Sequence, residues 1–446
     1  ALTEQHEYLP CQITIEGELL FQVVAIPSVG YRLFWQCERS RLSNPTPAQP
    51  SSTSLSETSL QVEESAQAIK LRNETLEISF DRTTGQILQL RDLVLQQDCL
   101  AQPANCLQCF TDKGQYWDAW NIDPDYEQHQ LPAPTLSKLH WLEQGPLRLR
   151  LRLVYQFQRS RLQQDLILEA GSPLLKIQMQ VDWQEDYVLL KVAFPLHLQA
   201  SSVTCEAACG VNIYPTQQAT QPQTPVEKAQ WEVPAHRWAD LSSADWGLSI
   251  LNDCKYGYDA KPDQLRLTLL RSPKWPDPES DRGQHQFAYA LYPHAGNWHS
   301  AQTVRQGYAF NQPLLACYPT QQPSQVATLP PTKSLLNLGG NSLVLMTLKP
   351  AELQSHAANS PATNLPATKT QDIPSTWILR CYESRGESTD LCLHTAFAWA
   401  SVQSTDLLET DSTEPHPSTV AKILPTTQVS IAPWQIVSLQ LIEALA

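Results

Sequence analysis

The chain has 446 residues, 42% of them hydrophobic and only 17% charged, with a formal net charge of −14. Such a composition folds, and the length suffices for two or three domains with a sizeable core. An acidic chain without a basic stripe is a poor partner for nucleic acid or anionic membranes, and no apolar run approaches the roughly 20 residues that span a bilayer.

Residues 1–10 lack the basic and apolar regions of a signal peptide, and they start with Ala, the pattern of a processed chain or a fragment. From Pro10 to Trp35, apolar and polar residues alternate, predicting strands with a turn at Pro27–Gly30. The region 1–41 is therefore expected to be an N-terminal β segment or small sandwich. Residues 42–66 are rich in Ser, Thr, Pro, Gln and Glu and read as a polar linker. Residues 67–350 read as a large β-sandwich. Asp81–Gly85 joins two alternating runs as a hairpin turn. Leu147–Gln158 alternates strictly, so its apolar face should meet a core and its Arg face water. LLKIQMQVDW, VLLKVAFPLHLQA, LRLTLLR and HQFAYALYP repeat the pattern, and no stretch of comparable length carries a 3.6-residue stripe. A second polar linker is expected at 351–375, then a small C-terminal sandwich at 376–446. The closing QIVSLQLIEAL reads equally as strand or helix. The fold class that follows is all-β, with stacked antiparallel sandwiches.

Eleven Cys, an odd number, lack the doubled pairs of a structural zinc site and are expected to be free, mostly buried thiols of a reducing compartment. Three stretches break strand alternation with polar and aromatic residues. Tyr116-Trp117-Asp118-Ala119-Trp120 sets aromatic faces beside a carboxylate, a combination that holds sugars or else plugs a sandwich edge. His236, Arg237, Asn252, Lys255 and Tyr256 crowd into about two dozen residues, as in a buried polar network with Arg237 paired to Asp240 or Asp253. Arg271 to His285 carries three Pro, so it is a stiff loop, with a local Asp281–Arg282 pair expected. Nucleophile elbow, zincin helix, phosphate loop and dinucleotide fingerprint are all lacking.

The stretches VPAHRWADLS, LNDCKYGYD, LLRSPKWPDPESDRGQHQFAYALYPHAG, YWDAWNID, VDWQEDYVLLKVAFP, IPSVGYRLF, LRCYESRGE and APWQIVSLQL resemble, in order, the C-terminal region of glycoside hydrolase family 38 α-mannosidases, in the cytosolic and vacuolar branch. The resemblance implies a galactose mutarotase-like large sandwich followed by a small one. It also implies a cytoplasmic, retaining, exo-acting hydrolase of terminal α-D-mannosides. In that family the zinc ion and the nucleophilic Asp belong to an N-terminal α/β domain, and a second acid protonates the leaving oxygen. No such segment is visible here, so this chain is expected to bind no metal, to supply no catalytic residue and to be inactive alone. Its expected partners are that catalytic domain, covalent or assembled, and an α-mannoside glycan. On matching motifs Arg282 resembles an Arg that reaches the sugar, Tyr116 and Asp118 resemble rim residues, and His236, Arg237, Asn252, Lys255 and Tyr256 resemble interface support. The alternative is a stand-alone carbohydrate-binding sandwich without hydrolytic activity.

Overall fold

The computed structural model describes residues 9–36, 59–114, 118–216, 231–318, 329–352, 376–409 and 427–444. The chain forms two compact units, the first containing residues 9–22 and 59–318, the second 23–35 and 329–444.

The first unit is built on a nine-stranded and a six-stranded antiparallel sheet, with a five-stranded sheet beside them. The strand Leu175–Trp183 shows why: Ile177, Met179, Val181 and Trp183 are fully buried, while Gln178, Gln180 and Asp182 point the other way. Its neighbours Ser160–Glu169 and Gly283–Ala295 pair with it in continuous antiparallel register. Facing them in the six-stranded sheet, Val188–Pro195 contributes Leu190, Val192 and Phe194, and Gln264–Leu270 contributes Leu265 and Leu267. One contiguous core joins these to Ile69, Leu71, Ile78 and Phe80 of the five-stranded sheet. The Asp81–Gly85 turn forms as read, with Asp81 Oδ1 accepting the Thr83 and Thr84 N–H groups and Gly85 at φ 74°.

The second unit is a small sandwich. Its four-stranded sheet runs Leu343–Pro350, Thr376–Glu383, Ile436–Glu443, Trp399–Thr405, and its three-stranded sheet runs Leu336–Asn337, Thr389–Thr395, Thr427–Ile431. Leu379, Cys381, Leu439 and Leu441 meet Leu391, Leu393 and Ile431 in its core. The closing ambiguous segment is thus a strand.

Several boundaries differ from the sequence reading. Leu343–Pro350, assigned to the large sandwich of 67–350, pairs with Thr376–Glu383 and belongs to the small one. The N-terminal region 1–41 builds no sandwich from its described residues. Cys11–Ile13 pairs with Leu19–Phe21 in the first unit, and Gly30–Arg32 pairs with Thr332–Ser334 in the second. The end of the linker 42–66 carries a strand, Gln61–Glu64, and its residues 42–58 lie outside the described residues, as do 353–375 of the linker 351–375. An α-helix, Thr303–Asn311, went unread: it is short, and Val304 and Gly307 alone among its apolar positions are buried. The Arg face of Arg148–Phe157 is not simply solvated. Arg150 and Arg152 share Asp165, and Arg148 pairs with Glu143 at 2.8 Å.

Candidate functional site

Topology brings three connections to one end of the first unit. Cys106–Thr111 runs out into residues 112–114 and 118–125, Leu175–Trp183 crosses to Val188–Pro195 through 184–187, and Gln264–Leu270 crosses to Gly283–Ala295 through 271–282. Register makes them neighbours, because Val188 pairs with Thr111, Leu190 with Leu270 and Trp183 with Gly283. Backbone hydrogen bonds then stitch the loops: Asp112 N–H donates to Tyr187 O and Tyr187 N–H to Ser272 O, both at 2.9 Å. Tyr187, Ser272 and Asp281 all have φ between 55° and 60°, the left-handed region that non-glycine residues occupy sparingly. Such strain concentrates where surrounding contacts fix a functional loop.

Carboxylates do most of the fixing. Asp118, 8% exposed, accepts the Lys274 N–H at 2.7 Å and the Trp275 N–H at 3.1 Å. Asp281 accepts the N–H groups of Arg271 and Ser272 at 3.1 and 3.0 Å. Asp112 takes the Arg271 Nε at 2.6 Å and the Asp123 N–H at 3.0 Å. Asp186 receives both a two-pronged contact from Arg282, with Nη2 at 2.7 Å from Oδ1, and the Lys274 ammonium at 2.8 Å. The hydrogen bond from Lys274, supported by that from Arg282, holds the Asp186 carboxyl below the usual carboxylate range against the opposing desolvation. Glu279 completes the group 3.0 Å from Arg282 Nη1.

Set against expectation, Arg282 stands at this loop end, but its partners are Asp186 and Glu279, not the adjacent Asp281, whose carboxylate serves the backbone. Asp118, expected at the rim facing a sugar, turns its carboxylate inward as a clamp between two loops, because the N–H groups of the 274–275 turn have no strand partner. Tyr116 lies outside the described residues. Trp120, 78% exposed, and Trp275, 47% exposed, are the aromatic faces that the structure does present here. Asp112 and Asp186 escape the sequence reading, and Arg271 enters it only as the start of the stiff loop: nothing in their local pattern separates them from other loop acids and bases, and each partner is distant in sequence.

The support residues form a second group near the same end. Arg237 binds Glu206 through Nε and Nη2, not Asp240 or Asp253, and its guanidinium lies 3.6 Å from the Tyr308 ring centre. Asn252 donates to His236 O and Tyr258 Oη and accepts the N–H groups of Cys254 and Lys255. The Lys255 ammonium sits 4.1 Å from the Phe287 ring centre, with burial lowering its pKa. His236 packs edge-on against the exposed Tyr256 ring.

Two further polar clusters are structural. Asp240, Ser249 and His294 lie within hydrogen-bond reach, but the acid and the hydroxyl meet the same ring nitrogen, Nε2, at 2.7 and 3.1 Å. A hydrolytic triad needs them on opposite nitrogens and an accessible hydroxyl, and Ser249 is 0% exposed. On the outer face of the six-stranded sheet, Lys191, Asp259 and Arg266 form a buried ionic chain that reaches Glu232, Tyr126 and Glu127. It pins the segment that follows Asp118 to the sheet.

Among the described residues no group of three His, Cys, Asp or Glu is placed to hold a metal ion, and no helix is long and apolar enough to cross a membrane. The ten described cysteines are unbridged; four are buried and two exposed. Cys106 and Cys109 point to opposite faces of one strand, so their spacing makes no metal clip: Cys109 enters the core and Cys106 does not.

Residues 71–279 match the model of the glycosyl hydrolases family 38 C-terminal domain, and 363–439 that of the family 38 C-terminal beta sandwich domain. The chain is 32% identical over 426 residues to alpha-mannosidase 2C1 of Mus musculus, covering 94% of this chain and 37% of that protein, and the Homo sapiens form matches to the same extent. The alpha-mannosidase of Saccharomyces cerevisiae is 27% identical over 76% of this chain and 31% of its own. This chain thus spans well under half the length of the curated relatives it matches. In fold it is similar to an alpha-mannosidase from Enterococcus faecalis V583, with a TM-score of 0.62 at 13% identity over 84% of this chain and 42% of that one. Matching domain models at both units, and relatives aligned along nearly the whole chain, place it in the C-terminal region of the family 38 α-mannosidases, and to that family the chain belongs.

Proposed function

We propose that this chain is the C-terminal portion of a retaining α-mannosidase, and that its loop cluster at 112–114, 118–125, 184–187 and 271–282 completes the rim of a catalytic centre carried by polypeptide outside this sequence. The observation that carries the reading is the commitment of the cluster's acids. Asp112, Asp118, Asp186 and Asp281 each hold a fixed cation or backbone N–H. Retaining hydrolysis needs two carboxyl groups free to face one glycosidic bond, about 5 Å apart. These four are engaged in building the loops instead.

The zinc ion implied by the family resemblance finds no ligand set among the described residues. We place it, with the nucleophile and the acid, in the outside polypeptide. What this chain's residues contribute is shape and donors. Arg282 can turn a guanidinium edge to a sugar hydroxyl at modest cost, because Lys274 stays on Asp186 and keeps it neutralised. Trp120 and Trp275 offer apolar faces to pyranose C–H groups. Unbridged cysteines support a reducing, cytoplasmic setting.

The test mixes this chain with the N-terminal half of a family 38 enzyme of the same branch and zinc. Aryl α-mannoside turnover by the mixture and by neither half is the expected result. Turnover by this chain alone, surviving chelation, overturns the proposal.

A further inference from the structure

On the outward face of the nine-stranded sheet, a groove of about 390 Å³ runs across the strands Ser160–Glu169, Leu175–Trp183 and Gly283–Ala295. Register lays its side chains out as a grid. Arg161, Asp182 and Gln284 form one cross-strand row, and Gln163, Gln180 and Gln286 form the next. Cross-strand neighbours stand about 5 Å apart and i, i+2 neighbours about 7 Å. Six polar side chains therefore converge on a patch of roughly 10 by 7 Å, the scale of a single sugar ring. His285, also at the groove, has its Nε2 taken by Asp281 O at 2.7 Å, and Asp182 Oδ1 accepts the Gln184 amide at 2.6 Å.

We propose that this groove is a secondary binding site for a neutral pyranoside, separate from the loop cluster. Three observations select that class. The side chains of Arg161, Gln163, Gln180, Gln284 and Gln286 make no hydrogen bond or ion pair with the described residues, so four amides and a guanidinium keep their full donor and acceptor capacity. An amide offers a donor and an acceptor side by side, which suits neighbouring hydroxyls that each do both. The lining is electrically balanced, Arg161 against Asp182, so an anion meets Asp182, a cation meets Arg161, and neither gains. A protein partner is disfavoured because no apolar or aromatic anchor lines the groove, and such anchors carry most interface affinity. Lacking a stacking face, the site binds weakly, in the millimolar range of a few solvent-exposed hydrogen bonds. The site is separate from the proposed rim and does not rest on it.

Saturation-transfer NMR on the full 446-residue chain, with methyl α-D-mannopyranoside as probe, reads the site without any catalytic half or turnover. Failure of complementation therefore leaves this test standing, and failure here leaves complementation standing. The wild-type chain is expected to give transfer at millimolar probe. The combined Gln180→Ala, Gln286→Ala variant is expected to weaken binding about tenfold, and Gln180→Glu, which keeps the shape and removes the donor, about fivefold. Circular dichroism melts should be unchanged, since all these side chains are outward-facing. Absence of transfer from the wild-type chain overturns the proposal, as does transfer that the groove variants leave unweakened in an Arg282→Ala, Trp120→Ala, Trp275→Ala background, which removes the proposed rim contacts. A tenfold preference for mannose 6-phosphate over the neutral probe would overturn the assigned ligand class.

Discussion

Replacing Lys191 by Met tests whether the buried ionic chain holds the site segment in place. The Lys191 side chain is 0% exposed and spends its three donors on Asp259 at 2.8 Å, Glu232 at 2.7 Å and Thr268 at 2.8 Å. Methionine fills much of the same volume but leaves Asp259, also 0% exposed, with Arg266 Nε at 2.7 Å as its remaining cation. Glu232, 13% exposed, can regain water, whereas Asp259 cannot. Breaking one side of a buried pair in this way costs about 3–5 kcal/mol, roughly a fifth or more of the stability of an ordinary domain. Pairing it with Asp259→Asn should recover about 1–3 kcal/mol of the summed single losses, because the two side chains share one interaction. Urea unfolding followed by fluorescence measures both, with the transition of the second unit as an internal control. The sign of the pH effect is also fixed. Burial alone would raise the Asp259 carboxyl, but the charges of Lys191 and Arg266 prevail and hold it below 3.8. Its stabilisation is therefore complete above the unfolded value and is lost as pH falls through the lower folded value, below about pH 4. In Lys191→Met that loss should begin at higher pH. A single variant within about 1 kcal/mol of wild type, with an unchanged acid limb, would refute the reasoning.

In the complete enzyme, Arg282→Ala should lower kcat/KM for an aryl α-mannoside about 10- to 100-fold, the scale of one charged hydrogen bond, while melting stays unchanged; unaltered kinetics would remove Arg282 from the site. Asp118→Ala strands two N–H groups at about 1–3 kcal/mol each, so the 274–275 turn should open locally. Tryptic cleavage after Lys274 should then quicken, and an unchanged rate counts against the clamp. A chelator should leave the melting temperature of this chain where it was, since its described residues hold no metal set; a rise of several degrees with added zinc would contradict that placement.

What the sequence made legible is local. Strict alternation in Leu175–Trp183 announces which side chains enter the core, because a period of two admits no other solution with one face buried. The Asp81–Gly85 turn is equally local, one acid capping the N–H groups two and three residues on. What stayed hidden depends on distant partners. Leu343–Pro350 reads as another strand, and only its pairing with Thr376–Glu383 assigns it to the smaller sandwich. Arg237 finds Glu206 and Arg282 finds Asp186, 31 and 96 residues away, whereas local reasoning offered Asp240, Asp253 and Asp281. The glutamine grid is invisible for the same reason, since its rows exist only once three strands are in register.

The loop cluster also shows why density of acids in a sequence is a poor guide to catalysis. Residues 112–125 and 271–282 together carry many Asp and Glu, and a two-carboxylate hydrolase is the tempting reading. Yet loops that leave a sheet expose backbone N–H groups with no strand to receive them, and a carboxylate is the strongest short-range acceptor for such groups. Asp118 and Asp281 are spent in this way, and Asp112 and Asp186 are spent on Arg271, Lys274 and Arg282. Each bond fixes a loop at a strand end whose position the sheet register already sets. If this end is the rim proposed above, a catalytic half docking against it need not supply the entropy of ordering the loop residues that these bonds already hold. That prior order is what allows complementation by two separate chains to be expected at all.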